Sequence, residues 1–166
     1  MEIRRLRSEE EAEICARMKA ESEPWITLGR DYAASLRIIL DSSREVYLAI
    51  EDGAILSFVI IEMEGAFVGY VKSICTAPEW RGRGIGSQLM SHVESRIFKE
   101  TPNVFICVSG FNEGARRLYE RLGYEVVGEL KNYLVSGESE ILMRKTIGPL
   151  SGFRGMTRQA FCYNDK

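Results

Sequence analysis

The sequence predicts a mixed α/β domain, and three observations support this prediction. Strand-like and helix-like segments follow one another in the order βααβββαβαββ. Turn signals at Asp52-Gly53 and Glu64-Gly65 separate three of the strands and favour antiparallel neighbours. A glycine-rich turn over residues 81–87 then opens a helix directly after the third of these strands. A turn in that position is where a ligand is expected to bind.

The first 40 residues are expected to form one short strand and two helices. Residues 2–6 are strand-like, and Ser8 with Glu11 forms the pattern of a capping box, from which a helix runs to about Ala20. The apolar residues of this helix recur at helical spacing: Ile14, Cys15 and Met18. Those of the second helix do the same: Tyr32, Leu36, Ile39 and Leu40. Between the helices, Glu23-Pro24-Trp25 is predicted to be a loop because proline disfavours helix before it.

The rest of the domain follows from apolar runs and capping signals. Strands are predicted at residues 45–50, 54–63, 66–75, 103–108, 124–134 and 138–145. A helix from Gly84 to about Lys99 has one apolar face, formed by Ile85, Leu89, Val93 and Ile97. A further helix is capped by Asn112 and ends at Gly123. We therefore expect a single domain over residues 1–146 and an irregular tail over residues 147–166.

Charge and composition argue against several classes of function. The 22 Lys and Arg against 24 Asp and Glu give a net charge of −2, which provides no broad field for nucleic acid or an anionic membrane. The apolar stretches, such as residues 54–61, are shorter than the ~20 residues of a spanning helix. The sequence thus predicts a cytoplasmic protein that binds neither. Four separated cysteines and the sole histidine, His92, predict no disulfide framework and no metal site.

The glycine turn has the chemistry of an anion site. Backbone amides at a helix N-terminus attract anions, glycines allow a close approach, and Arg81 and Arg83 add positive charge. Two other phosphate motifs fit less well: a Walker loop requires a lysine that is absent here, and Ser87 replaces the third glycine of a dinucleotide fingerprint. A turn without a ligand and an unrelated nucleotide-binding module remain the alternatives.

Two blocks of sequence resemble a known family. The stretch ICTAPEWRGRGIGSQLM, residues 74–90, resembles the acetyl-CoA signature of the GNAT superfamily of N-acyltransferases, Arg/Gln-x-x-Gly-x-Gly/Ala after a strand and x-Pro. Downstream, NEGARRLYERLGY, residues 112–124, is similar to the family's Asn-x-x-Ala-x-x-Leu-Tyr-Glu-x-Leu-Gly-Phe/Tyr. The order of elements agrees over about residues 45–145. The resemblance implies a mostly antiparallel sheet flanked by helices, with a splayed central strand pair that takes the cofactor.

The resemblance also implies a role for individual residues. Acetyl-CoA is the implied cofactor, with its pyrophosphate on the glycine turn and its pantetheine arm on the preceding strand. The implied cofactor-binding residues are Ile74, Cys75, Thr76, Arg81, Gly82, Arg83, Gly84, Ile85, Gly86, Ser87 and Asn112. Tyr119 is the implied acid that protonates the departing thiolate, and a phenol with a pKa near 10 is suitably protonated at neutral pH. The residues alone allow plainer roles, with Tyr119 in the core and Asn112 as a helix cap.

The function that follows is the transfer of an acetyl group from acetyl-CoA to a primary amine, by direct attack in a ternary complex. The acceptor is a small molecule or a peptide, and Glu23 and Trp25 are expected to line its pocket. Ribosomal-protein N-terminal acetyltransferases have a glutamate base where this sequence has Cys107, so Glu62, Glu64 or waters are the substitute bases. Either glutamate also fits a solvated strand face. A non-catalytic acyl-CoA binding or sensing domain is the alternative, and a homodimer is left open.

Overall fold

The computed structural model describes residues 1–155 and has the predicted order of elements. Its strands are β1 Glu2–Arg5, β2 Arg44–Glu51, β3 Ala54–Glu62, β4 Tyr70–Thr76, β5 Asn103–Ser109, β6 Glu125–Lys131 and β7 Ser139–Thr146. Its helices are α1 Glu9–Ala20, α2 Tyr32–Ile39, α3 Ile85–Ile97 and α4 Glu113–Arg121, with a single 3-10 turn at Pro78–Trp80. Residues 147–155 form no helix or strand, and residues 156–166 of the predicted tail lie outside the described part.

The seven strands form one sheet in the order β1-β2-β3-β4-β5-β7-β6. Every neighbouring pair is antiparallel except β4 and β5, which confirms the mostly antiparallel sheet. The predicted hairpin between β2 and β3 turns through Asp52 at φ 49° and Gly53 at φ 80°. Two consecutive positive φ angles are typical of the tight turn that Asp-Gly favours.

The central strands β4 and β5 separate after only two residue pairs, Tyr70 with Phe105 and Val71 with Ile106. On the other side of β4, Ile61 pairs with Val71 but Ile60 pairs with Ser73, so Lys72 is an extra residue in that strand. Such a β-bulge bends its strand and increases its twist. The bend carries the C-terminal half of β4 away from β5. The predicted splayed pair is therefore present, and we call the opening between residues 72–76 and 107–109 the gap.

β4 begins at Tyr70 rather than at residue 66, and Gly69 explains the difference. Its φ is +85°, and an added Cβ would lie 2.5 Å from the Asn103 carbonyl oxygen and 2.6 Å from the Ile97 side chain. The amide of Phe105 also donates to the Gly69 carbonyl at 3.0 Å. The chain thus makes a close, left-handed turn against β5 and α3 before it becomes extended.

The helices cover the sheet on two faces. α3 and α4 pack on one face over a core that includes Val71, Ile106 and Met143, and the predicted apolar face of α3 is fully buried there. α1 and α2 pack on the other face, against the β1–β4 half. Not all of the predicted helical positions are buried, because Ile14 is 43 % exposed. Within the described part of the chain, none of the helices is long and apolar enough to cross a bilayer.

Candidate functional site

The glycine turn presents a row of free backbone donors. The first amide that donates into α3 is that of Gln88, to the Gly84 carbonyl at 3.0 Å. The six amides of residues 82–87 donate to no acceptor among residues 1–155. Residues 82–84 are also exposed to solvent. Unpaired amides at the positive end of a helix dipole form an anion site without further rearrangement.

The structure gives a reason for glycine at position 84 but not at position 86. Gly84 caps α3 with φ +77° and ψ 1°, and an added Cβ would meet nothing within 4 Å. Its lack of a side chain is therefore needed for the backbone angle, not for space. An added Cβ on Gly86 would lie 3.6 Å from Thr76 Oγ1 and 4.0 Å from Ile74 Cδ1. These are ordinary contact distances, so a methyl group would fit at Gly86.

The two arginines of the turn are held by neighbours. Arg81 donates from Nε to the Thr76 carbonyl at 3.0 Å and from Nη2 to Ser22 Oγ at 3.2 Å. The guanidinium of Arg83 lies 4.7 Å from the centre of the Trp80 ring, in cation–π contact. Arg81 therefore joins the end of β4 to the end of α1, while Arg83 stays at the surface beside the free amides.

β4 has a free backbone edge along the gap. The Ala77 amide donates to the Leu56 carbonyl of β3 at 2.9 Å. In an antiparallel pair, every second residue of a strand turns its backbone groups toward the neighbouring strand and the residues between turn theirs away. The backbone groups of Ile74 and Thr76 are therefore directed away from β3. They point into the gap, where β5 no longer pairs with β4. The Cys75 carbonyl faces β3 instead and accepts from Ser57 Oγ at 2.8 Å. Of the three predicted strand residues, Ile74 presents its amide and carbonyl to the gap, and Thr76 presents its amide, because its carbonyl accepts from Arg81.

Asn112 and Tyr119 lie on α4, on the same face of the sheet as α3. Asn112 caps that helix, because its Oδ1 accepts from the Ala115 amide at 3.2 Å. The Tyr119 ring is buried, 5.8 Å from the ring of Tyr124. Burial alone raises the pKa of Tyr119, and no hydrogen bond with residues 1–155 contributes to the shift. The phenol is thus a protonated donor that is not committed to a partner in this part of the chain.

The predicted substitute bases lie away from the open part of the gap. Glu62 pairs with Tyr70, at the closed end, and its Oε1 accepts from Arg44 Nε at 2.8 Å with Lys72 Nζ at 3.8 Å. Glu64 is exposed in the connection between β3 and β4. Two positive side chains thus neutralise the Glu62 carboxylate. Glu62 and Glu64 remain predictions as bases.

A buried carboxylate that the sequence analysis missed lies on the opposite sheet face from α3. Glu140 on β7 is 4 % exposed, and its Oε1 accepts from Ser109 Oγ at 2.6 Å. Burial raises the pKa of Glu140, opposed by this hydrogen bond. No local signal marks it, because a Ser-Glu pair at the start of a strand ordinarily indicates a solvated end. Its burial depends on a serine 31 positions earlier in the chain.

The loop predicted to line the acceptor pocket contacts a buried lysine. Trp25 places its ring 5.4 Å from Lys19 Nζ, whereas Glu23 is exposed and accepts from the Thr27 amide. Lys19 is 2 % exposed, and its Nζ donates to Ser73 Oγ on β4 at 2.9 Å. Burial, with a smaller effect of the nearby Lys72, lowers its pKa from 10.5 to about 8. An amine that has no acidic partner within residues 1–155 thus packs against the strand that borders the gap.

Replacing Lys19 with methionine is expected to stabilise the fold at neutral pH. The unfolded chain binds more protons than the folded one between pH 8 and 10.5, so the parent gains stability as the pH rises through that window. Below pH 8 the buried charge of Lys19 lowers the free energy of unfolding of the parent by up to about 3 kcal/mol, and methionine removes this penalty. The Ser73 hydroxyl, which then has no donor, costs about 1–2 kcal/mol. We expect a net gain of about 1–2 kcal/mol at pH 7 that falls as the pH rises and becomes a net loss of about 1 kcal/mol by pH 10.5, where only the cost of the unpaired Ser73 hydroxyl remains.

Urea unfolding of the parent and Lys19→Met at several pH values measures this difference. Lys131→Met is the matched control, because Lys131 is exposed and the same change should stay within about 0.5 kcal/mol of the parent. A variant that is less stable than the parent at pH 7 would show that the buried charge is compensated.

Residues 6–124 match the sequence model of the acetyltransferase (GNAT) family. An uncharacterized N-acetyltransferase of Methanocaldococcus jannaschii is 34 % identical over 101 residues, which cover 60 % of this chain and 64 % of that protein. An N-alpha-acetyltransferase of Sulfurisphaera tokodaii is 29 % identical over 111 residues, covering 58 % and 66 %. The chain thus spans slightly less than two thirds of the length of these relatives.

A solved structure has the same fold at low sequence identity. The crystal structure of an aminoglycoside 6′-N-acetyltransferase complexed with coenzyme A superposes with a TM-score of 0.74 and 17 % identity, covering 90 % of this chain and 98 % of that one. At this identity the likeness concerns the fold alone.

Proposed function

Because the chain belongs to the GNAT family of acetyltransferases, we propose that it transfers an acetyl group from acetyl-CoA to a primary amine by direct attack in a ternary complex. The observation that carries this proposal is the gap. A free strand edge on β4 runs directly into a turn with six unpaired amides, so one elongated ligand could pair with both. Coenzyme A has this form, with a pantetheine arm that carries amide groups and a pyrophosphate at its end.

The residues present fit such a ligand. The amides of residues 82–87 would receive the pyrophosphate, with Arg83 nearby, and Ile74 and Thr76 would pair with the pantetheine arm. The aminoglycoside 6′-N-acetyltransferase of the same fold is described as complexed with coenzyme A. Asn112 is also proposed to contact the cofactor, from the N-terminus of α4. Cys75 stays a proposed cofactor-binding residue only through its place between Ile74 and Thr76, because its own backbone groups face β3. When bound, acetyl-CoA supplies an activated acetyl thioester.

Two groups of this chain would assist the transfer. An Ile74 amide directed into the gap is a fixed donor for the oxyanion that develops during attack, and it needs no rearrangement. The Tyr119 phenol is protonated and has no partner among residues 1–155, so it could donate to the sulfur that leaves. Oxyanion and leaving group would thus be stabilised from different sides.

The cysteines near the gap are poor nucleophiles, which favours direct transfer. Burial raises the pKa of Cys75 to about 11, and its Sγ lies beside Ser22 Oγ at 3.8 Å. Burial also raises the pKa of Cys107. Since the thiolate is the reactive form, neither residue is suited to carry the acetyl group as an intermediate.

For the acceptor we propose an amine on a small molecule or a peptide. The name of the Sulfurisphaera relative describes an α-amine acceptor, and that of the solved structure an aminoglycoside. An α-amine with a pKa near 8 needs less deprotonation at neutral pH than a lysine near 10.4, so peptide α-amines are the first acceptors to test. We place this activity in one domain over residues 1–146, acting in the cytoplasm.

The proposal predicts binding and turnover that can be measured separately. Saturating acetyl-CoA should raise the melting temperature, with about 2.7 kcal/mol of stabilisation at 100 times the dissociation constant, while ATP and NAD should have little effect. Thiol release should then be detected with at least one probe amine among a tripeptide amide, Nα-acetyl-lysine amide, spermidine and kanamycin.

The two measurements distinguish the alternatives. A melting shift with acetyl-CoA but no thiol release with any amine would favour a non-catalytic acyl-CoA binding domain. A shift with ATP or NAD alone would favour a nucleotide-binding module, and no shift with any ligand would overturn the assignment of the gap.

A further inference from the structure

We propose that Glu140, held by Ser109, binds the ammonium group of the acceptor and acts as the general base that removes its proton. This inference rests on the proposed function, because it assigns a residue to the same reaction. Unlike Glu62, Glu140 has no salt bridge among residues 1–155, and unlike Glu64 it is buried.

The first argument is charge. Glu140 is 4 % exposed, yet its only assigned hydrogen bond among residues 1–155 is the one from Ser109 Oγ to Oε1 at 2.6 Å. No positively charged side chain within that part of the chain contributes to its pKa. Buried carboxylates are normally paired with a cation, because leaving one unpaired is costly. A cationic acceptor would supply the missing partner.

The second argument is the sheet face. Val104, Ile106 and Val108 of β5 belong to the core beneath α3, so Cys107 and Ser109 point to the opposite face. On β7, Ile141 and Met143 pack on the α3 side, which places Glu140 on the same face as Ser109. The free amides of the turn lie at the start of α3. An acetyl donor and an acceptor could therefore enter the gap from opposite faces, as a ternary complex requires.

The third argument is the position along the gap. The last residue pair between β4 and β5 is Val71 with Ile106, and Lys72 is the extra residue of the bulge. When the count continues past that bulge, Ile74 is level with Val108 and Cys75 is level with Ser109. Glu140 pairs with Ser109 on the next strand. Neighbouring strands are about 5 Å apart, and the small side chain of Ser109 leaves space for the longer side chain of Glu140 to extend across β5. The Glu140 carboxylate thus belongs to β7, one strand beyond the gap, at a level along the strands that corresponds to the C-terminal half of β4.

The chemistry balances with groups that are already named. The ammonium of the acceptor gives one proton to a carboxylate oxygen of Glu140, and the amine lone pair then forms the new C–N bond. The nitrogen then loses its second proton to solvent, the C–S bond breaks, and the sulfur takes a proton from Tyr119, which solvent reprotonates. Burial raises the pKa of Glu140, which makes its carboxylate a better proton acceptor. Other titratable groups near this position are Cys107 of β5 and, on β4, Tyr70 and Lys72.

Glu140→Gln tests the proposal, because glutamine keeps the shape and can still accept from Ser109. Calorimetry with the four probe amines, on protein saturated with coenzyme A, should show at least tenfold weaker amine binding at pH 7. The turnover number at pH 7 should fall about a hundredfold, and the loss should shrink toward pH 9 as more of the amine is already neutral. Glu129→Gln is the matched control, since Glu129 is exposed on β6 and should leave both values unchanged.

The possible results distinguish the role of Glu140 from the proposed function. Suppose that the parent turns over a probe amine, and that Glu140→Gln matches the parent within twofold in amine binding and in its pH profile. This result would overturn the role of Glu140 and leave the proposed function intact. Amine binding that depends on Glu140, without turnover in the parent, would support the amine site and overturn the proposed function. If the parent neither binds nor acetylates any probe, both are overturned. An equal loss in Glu129→Gln would reduce the effect to surface charge and also overturn the role of Glu140.

Discussion

Gly84→Val is expected to weaken acetyl-CoA binding about five- to thirtyfold while leaving the fold intact. Gly84 has φ +77°, a conformation that costs a residue with a side chain about 1–2 kcal/mol and suits a β-branched residue least. The valine should shift the turn toward an ordinary backbone angle. The amides of residues 82–87 would then no longer point at one anion, and their combined effect on the pyrophosphate would be reduced.

Gly53→Val is the matched control for this substitution. Gly53 has nearly the same φ, +80°, and its added Cβ would also meet nothing within 4 Å, but it lies in the β2–β3 hairpin. Both variants should lose similar stability, whereas only Gly84→Val should lose affinity in a calorimetric titration with acetyl-CoA. Parent-like affinity in Gly84→Val would place the phosphates elsewhere.

Tyr119→Phe is expected to lower the turnover number about a hundredfold with little change in acetyl-CoA affinity. The substitution keeps the buried ring and removes only the hydroxyl, for which residues 1–155 provide no hydrogen bond. General acids typically contribute 10²- to 10⁴-fold, and a thiolate is already a fair leaving group, so the lower end applies. Steady-state kinetics with the best probe amine measures this change.

Tyr124→Phe makes the same chemical change on the adjacent ring. The Tyr124 hydroxyl is buried next to the Glu94 carboxylate, and burial together with that group raises the pKa of Tyr124. Its removal should change the free energy of unfolding by about 1 kcal/mol or less and should not affect turnover. If Tyr119→Phe also keeps turnover within about twofold of the parent, Tyr119 is only a core residue.

Local patterns were sufficient to predict most of the fold. The order of elements is the predicted one, because apolar periodicity, the Asp52-Gly53 turn and the cap at Asn112 are local signals and each has the predicted structure. The start of β4 was misplaced by four residues, from 66 to Tyr70. The reason is the close approach of Gly69 to Asn103, a contact between residues 34 positions apart that no local pattern contains.

Some features of the site could also be predicted from local sequence, and others could not. The turn and the free strand edge depend on glycines and strand order, so the sequence could indicate them. The environments of Lys19 and Glu140 depend on Ser73 and Ser109 on distant strands. A lysine in the last turn of a helix and a glutamate at the start of a strand both look solvated from the sequence alone. Burial of a charge is a property of the tertiary structure.

The short β4–β5 pairing also bears on how the molecule unfolds. Only two residue pairs join the backbone of strands β1–β4 to that of β5–β7, so main-chain hydrogen bonds contribute little to the cooperativity between the two parts. That cooperativity depends on α3, whose apolar face packs in a core shared by Val71 of one part and Ile106 of the other. A ligand in the gap would add hydrogen bonds across this junction. Its binding would therefore slow amide exchange on both sides together, rather than on one strand alone.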